Sequence, residues 1–375
     1  ELGEWMSGKR YFIDAFSGSA SGTHDNSPAL NDAIEECNAN GGGVVEMGPG
    51  TYYIEDTIIQ RSKVKLMGAG SAATKIYLAN GSNCDMLQTY NYTADLAAMT
   101  KSSVFDFGIH GITFDGNYSN QTAGKGLVMY GCGYYLNDVK IFYTWGHGLD
   151  TNYNPDASVA LPTGATLEAR YHNITIGYTH GHGWLFKGPT DSYADGIIIY
   201  QTGNENGVIV QDGNGCGTGV PGCGLVLDES SAALGYGGSL AIGFAHIYAC
   251  FGDGMWVKAG GYTKASLLEL DANERRGILV ERDRCYFGSI YAYKNNRELN
   301  GYYQVDLNCA ETQIGALFID HRWSNTALKL DVSGGGGLRM NGHKNTVGHI
   351  KAWGAGTTNA AITGFTALSS GSKTA

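Results

Sequence analysis

The segment LELDANERRG (268–277) places three carboxylates, Glu269, Asp271 and Glu274, beside Arg275 and Arg276 within ten residues. Upstream stand Asp228 and Glu229, and then Asp253. Glycosidic hydrolysis needs two carboxyl groups about 5 to 9.5 Å apart, one as acid and one as base or nucleophile. These six are therefore the candidate catalytic residues. A lyase needs different parts: a base for the proton α to a uronate carboxylate, and cations to neutralise that carboxylate. Arg275, Arg276, Arg282 and Arg284, with His246 or Tyr248 on the preceding repeat, have the types for it. The structural alternative is that these arginines pair with Glu281 and Asp283, as part of a ladder of solvated charge.

Histidines recur in GHG (146–148) and HGHG (180–183). Polygalacturonases use a GHG, but the Asp-Asp pair and Arg-Ile-Lys that go with it are absent here, GHIK (348–351) lacking the Arg. Flat aromatics suit the apolar C–H faces of sugars while keeping a polar handle. Trp145, His147, His182, Tyr248, Trp256, Arg275 and Arg276 are accordingly the expected substrate-binding residues. The eight cysteines show no zinc-type spacing and no DxDxDG calcium loop occurs, so no metal and no cofactor is expected. Cys216 and Cys223 flank GCGTGVPGC and could close it as a disulfide; buried thiols are the plainer reading.

What positions these side chains is a repeat. From about residue 105 a short alternating strand, a few polar residues and a Gly before a second short strand recur. That Gly falls at 148, 183, 207, 254, 277 and 301, intervals of 35, 24, 47, 23 and 24 residues. The long interval holds the insert GNGCGTGVPGCGLVLDESSAALGYGG and is close to two periods, which suggests a hidden coil. Short strands with a period in the low twenties, and no helical pattern between them, predict a stacked parallel β-helix: all-β, one coil per repeat, coils about 4.8 Å apart. Equivalent residues then become neighbours. One predicted column is His147, His182, Asn206, Asp253, Arg276 and Asn300; a second is Trp145, His180, Asn204, Phe251, Glu274 and Glu298. Asp253 should meet Arg276, Glu274 should meet Glu298, and Leu268 and Leu270 should face the core.

Upstream, SPALNDAIEECNA predicts a helix with Leu30, Ala33, Ile34 and Cys37 on one face, Ser27 as N-cap and Pro28 at its first position. It would close the open end of the solenoid. Composition agrees with a turn-rich fold: 57 glycines in 375 residues, 43% hydrophobic, 24 tyrosines. A net charge of −10 without a basic run argues against nucleic acid, and no apolar stretch suggests a membrane span. The chain starts ELGEWM, without an initiator Met or a signal pattern, so removal of a preceding segment is expected.

The stretch DAFSGSASGTHDNSPALNDAIEECNANGGGVVEMGPGTYYI resembles the start of the pectate-lyase-superfamily β-helices of bacteriophage tailspikes and bacterial polysaccharide depolymerases. Asp14, Gly22, Asp25, Ala33-Ile34, Gly41 to Gly43, Val45, Pro49, Gly50 and Tyr52 carry the likeness, and His24 stands where the family has the first Asp of a pair. The resemblance implies a right-handed parallel β-helix: a cap and first coil over 11–55, stacked coils over 56–353 and a tail over 354–375. It also implies an extracellular or virion-tail location, a homotrimer, and cleavage of a bacterial capsule, exopolysaccharide or O-antigen. Hydrolysis is the leading chemistry, β-elimination the first alternative and a non-catalytic glycan-binding adhesin the second. The chain has no room for a virion-binding head, so it is expected to be the β-helix body.

Overall fold

The computed structural model describes residues 8–98, 104–153, 166–203, 222–229, 238–259, 262–296, 302–320, 337–353 and 362–363. Within them the chain is a right-handed parallel β-helix. The long sheet climbs in chain order through Gly108–Asp115, Tyr134–Phe142, Ala169–Gly177, Ser192–Tyr200, Leu240–Tyr248, Thr263–Asp271, Tyr286–Tyr293, Gln313–Asp320 and Thr346–Trp353. A second sheet of shorter strands runs beside it from Ile58–Gln60 to Ile362–Thr363. All the pairings are parallel, as stacking of coils requires.

The alternation of side chains explains why these residues make strands. Ile112, Val139, Ile174, Ile197, Ala245, Leu268, Ile290 and Leu317 occupy one register column, and all are buried. The next inward column contains Ile141, Ile176, Ile199, Ile247 and Leu270. Leu268 and Leu270 thus face the core as expected, while Glu269 and Asp271 point out. Each fully buried Leu or Ile contributes about 1.5–3 kcal/mol. Buried amides extend the ladder at one turn, where Asn273 Nδ2 donates to Asn295 Oδ1 at 2.7 Å. Burial also raises the thiols of Cys37, to about 11, and of Cys250 and Cys285, to about 12, in keeping with buried thiols.

The helix Ser27–Ala39 packs Leu30, Ala33, Ile34 and Cys37 onto the end of this core. Ser27 is its first residue rather than its N-cap. The carboxylate of Asp25 accepts the Ser27 N–H at 2.9 Å, and Ser27 Oγ instead accepts N–H bonds from Glu55 and Asp56, tying the helix to the first coil. Gly41, Gly42 and Gly43 follow at φ +90, +106 and +152, which carries the chain from the helix into the strand Gly43–Glu46.

Three other details differ from expectation. Ser192–Tyr200 pairs directly with Leu240–Tyr248, so the long interval is a single coil with a large insertion. In that coil Leu225–Leu227 joins the second sheet, and the repeat position belongs to Gly224. Residues 204–221, with Asn204, Asn206, Gly207 and Cys216, lie outside the described residues, as do Glu298, Asn300, Gly301 and most of the expected tail. A second short helix, Tyr92–Ala98, interrupts the coils, and its Tyr92 packs with Val128, Tyr130, Cys132 and Tyr153 on the outside of the second sheet.

Candidate functional site

The site lies where the chain leaves the long sheet and turns into the second. Two successive coils make this turn with nearly the same sequence, Tyr143-Thr144-Trp145-Gly146-His147-Gly148 and Tyr178-Thr179-His180-Gly181-His182-Gly183. The leading tyrosines are left-handed, at φ 55 and 56, as are Ala249, Ala272 and Lys294 on later coils. Thr144 Oγ1 donates to the Gly146 carbonyl and Thr179 Oγ1 to that of Gly181, so each turn bends alike. Identical bends stack like side chains. Tyr143 lies 4.8 Å from Tyr178 with rings 15° apart, and Trp145 meets His180 edge-on at 4.8 Å. Tyr118, from the coil before, packs 4.4 Å from His180.

His147 and His182 stack at 4.9 Å, nearly parallel. Both are buried, not directed to solvent as a substrate-binding role at this turn predicted. The His182 N–H donates to His147 Nδ1, and the Cys223 N–H donates to His182 Nδ1, each at 2.9 Å. Nδ1 is therefore the acceptor in each ring, which places the proton of the neutral imidazole on Nε2. The neighbour of His182 in this column is Cys223, in place of the expected Asn206.

One coil below His147 stands Lys125, its register fixed by the Gly126 N–H bond to the His147 carbonyl. Its Nζ lies 2.7 Å from Asp150 Oδ2, and its backbone N–H donates to Asp85 Oδ1 at 2.8 Å. Gly146 makes room for the lysine stem: a Cβ there would sit 2.8 Å from Lys125 Cγ. The two carboxylates are pushed apart in proton affinity. Burial raises Asp85 above the ordinary carboxylate range, against the pull of Lys125. Burial also acts to raise Asp150, but the charge and hydrogen bond of Lys125 outweigh it and hold Asp150 low. Divergent carboxylates in one place are a mark of acid–base chemistry. Burial lowers the proton affinity of His180, favouring its neutral form, and its enclosed Nδ1 has no hydrogen-bond partner among the described residues.

Of the six carboxylates singled out in the sequence, Glu269 and Asp271 share one outer face, and the others lie elsewhere. Asp228 is held by Lys258 at 2.8 Å on the outside of the second sheet, with the Glu229 N–H bonded to it. Asp253 is buried and paired with Arg276, the adjacency expected from the column. Arg276 also bridges to Asp306 at 2.9 Å, and it lies with Arg275 over the Tyr302 ring, in a structural ion network. Trp256 is on the same flank and donates to Glu281. Arg284 pairs with Glu311 rather than with Glu281 or Asp283. Glu269, Asp271 and Tyr248 instead decorate the outer face of the long sheet, and Glu274 lies on the turn beyond. Of the expected binding residues, Trp145, His147 and His182 belong to the corner described above, the two histidines buried within it.

Lys125, Asp85 and Asp150 were not singled out by sequence. The signal was present: in AGKGLVMY, Lys125-Gly126 repeats the His147-Gly148 pattern one coil earlier.

Comparison with known proteins places this geometry in context. The profile of the rhamnogalacturonase A/epimerase, pectate lyase-like family matches residues 13–219, more than half of the chain. The mannuronan C5-epimerase AlgE1 of Azotobacter vinelandii is 28% identical over 120 residues, 30% of this chain and 8% of that protein. Alginate lyase 7 of the same organism is 27% identical over 117 residues, 29% of this chain and 13% of that one. The chain thus matches only a small part of these relatives' length. Among solved structures, the enzymatically active domain of bacteriophage CBA120 tailspike protein 2 superposes with a TM-score of 0.63 at 10% identity, over 91% of this chain and 47% of that one. The A-module of the Azotobacter vinelandii mannuronan C-5 epimerase AlgE4 superposes with a TM-score of 0.57 at 15% identity, over 92% of this chain and all of that one. These likenesses are of fold.

Proposed function

The chain belongs to the rhamnogalacturonase A/epimerase, pectate lyase-like family, and from that premise we propose that it is an enzyme acting on uronate residues of an extracellular polysaccharide. The observation that carries this reading is the Lys125 ammonium, held by Asp150 at 2.7 Å beside an aromatic turn. A uronate carboxylate needs such a cation before the C5 proton becomes acidic enough to remove. The names of the matched relatives, C5-epimerases and an alginate lyase, support chemistry at that carbon.

In this reading Lys125 neutralises the sugar carboxylate and His180, half-buried against Trp145 and favoured in its neutral form by that burial, takes the C5 proton. The C5–H electron pair forms the C4=C5 bond, the C4–O4 bond breaks, and Asp85 in its protonated form delivers a proton to the leaving oxygen. Without departure of O4, return of a proton to the opposite face gives the C5 epimer. Trp145 and Tyr143 hold the flanking sugars. Hydrolysis is the second reading, favoured by Glu269 and Asp271, which alternate on one strand about 7 Å apart, within the span that an acid and a base require.

The test is incubation with acidic bacterial and algal polysaccharides while following new reducing ends, the ultraviolet absorbance of the C=C bond, and exchange of the C5 proton with deuterated water. Reducing ends with absorbance mean elimination, exchange alone means epimerisation, and reducing ends alone mean hydrolysis. Binding without any of these leaves a glycan-binding adhesin. A location on a virion tail and a trimeric assembly belong to the same proposal, supported by the tailspike likeness in fold.

A further inference from the structure

The aromatic surface of the corner does not stop there. Tyr178 meets Tyr200 edge-on at 5.3 Å, and Tyr200 stacks on Tyr248 at 5.2 Å with rings 11° apart. Beyond Tyr248 the surface changes character. His246, stacked on Tyr248 at 4.6 Å, bonds to Asp271 at 2.8 Å, and Tyr293 Oη donates to Glu269 at 2.8 Å. Glu269 and Asp271 alternate on one strand, which places them about 7 Å apart on the outer face. A carboxylate has about four acceptor positions, so each retains capacity for sugar hydroxyl donors. A second carboxylate brought against this pair would be repelled.

We propose that this face, from Tyr200 through Tyr248 to Glu269 and Asp271, is a glycan subsite for uncharged sugars, which makes the substrate a heteropolysaccharide of uronates and neutral residues rather than a pure polyuronate. The proposal rests on the preceding reading for the uronate position at Lys125. From the Lys125 coil to the Asp271 strand is five coil steps, about 24 Å at the strand spacing. The coil spacing is close to the length of one pyranose residue, so a linear glycan lying along the axis meets one coil per sugar. The cation at one end and the acidic, hydroxyl-accepting face at the other then read different residues of the same chain.

The test uses the full chain in affinity electrophoresis and calorimetry with four probes: polymannuronate, hyaluronan, xanthan and dextran. Hyaluronan and xanthan mix uronates with neutral sugars; the other two are all-acidic and all-neutral. The expected result is binding of at least one mixed polymer about tenfold tighter than of either homopolymer, and its loss by about tenfold in Tyr248→Ala and in Glu269→Gln. Polymannuronate binding as tightly as the mixed polymers, no binding of either mixed polymer, or unchanged binding in both variants overturns the proposal. So does a change of sedimentation coefficient in the variants, which would make the face a contact between copies of the chain. Absence of turnover with the binding pattern intact would remove the enzymatic reading and leave the subsite standing.

Discussion

Lys125 Nζ and Asp150 Oδ2 are 2.7 Å apart, with side chains only 15% and 2% exposed, so the pair is shielded from the solvent that makes surface ion pairs weak. Removing one partner leaves the other charge buried. Lys125→Met should therefore cost ~3–5 kcal/mol, read by urea denaturation. Replacing both, as Lys125→Met with Asp150→Leu, should restore most of that stability but none of the turnover. A double variant that regained activity along with stability would show that the pair serves the fold alone.

His180 is to act as a base, so it must be unprotonated, and burial favours that form. The acidic limb of the pH–rate profile is expected to fall below the ordinary histidine value of about 6.5. Above that limb the rate should be flat until another group titrates. His180→Gln should abolish turnover while leaving glycan binding within about threefold, a separation of kcat from affinity. A profile whose acidic limb stayed at the same pH in a variant that retained activity would assign the base elsewhere.

The His246–Asp271 hydrogen bond makes an opposite pH prediction. Asp271 raises the proton affinity of His246 above its ordinary value, burial opposing and nearby Glu269 assisting. A group whose folded value is raised contributes stability that is fully present below the unfolded value of about 6.5 and is lost as pH rises through the folded value. Unfolding measured across that window should show the chain losing stability on the alkaline side, and Asp271→Asn should flatten the curve. Histidine NMR titration reads the same shift directly, and a His246 midpoint at or below 6.5 would refute it.

The repeat made much of this legible. Period-2 alternation in LLELD fixed which side chains face the core, and the column logic put Asp253 against Arg276. The start of the chain carried the cap and first coil through its glycines and Pro49-Gly50. The site was harder to read because it depends on registers that insertions obscure. The insertion after Tyr200 shifted the apparent repeat Gly from 224 to 207, which spoiled the column at His182. Lys125 lies one coil before the first repeat Gly traced, at 148. Charge type alone drew attention to Asp228, Asp253 and Arg276, whose partners show them to be ion pairs on the other flank. Burial of His147 and His182 could not be read either, since a GHG turn looks the same whether its imidazole points in or out.

The aromatic row can be perturbed without touching a tyrosine. Gly177 lies beneath the Tyr200 ring, and a Cβ there would come within 2.9 to 3.2 Å of three of its atoms. Its backbone is not in the left-handed region, so alanine fits the main chain and only the ring must move. The unfolded-state gain of about 0.4–1 kcal/mol is offset by the lost ring stack, so Gly177→Ala is expected to leave stability close to unchanged. Displacing Tyr200 breaks its stack on Tyr248, so KM for long glycans should rise severalfold while kcat on short fragments holds. Tyr200→Ala in the Gly177→Ala background should then add little, because the ring has already left the row. If the two effects add in full, Tyr200 contributes to glycan affinity from wherever it moves, and the stacked row is not what binds.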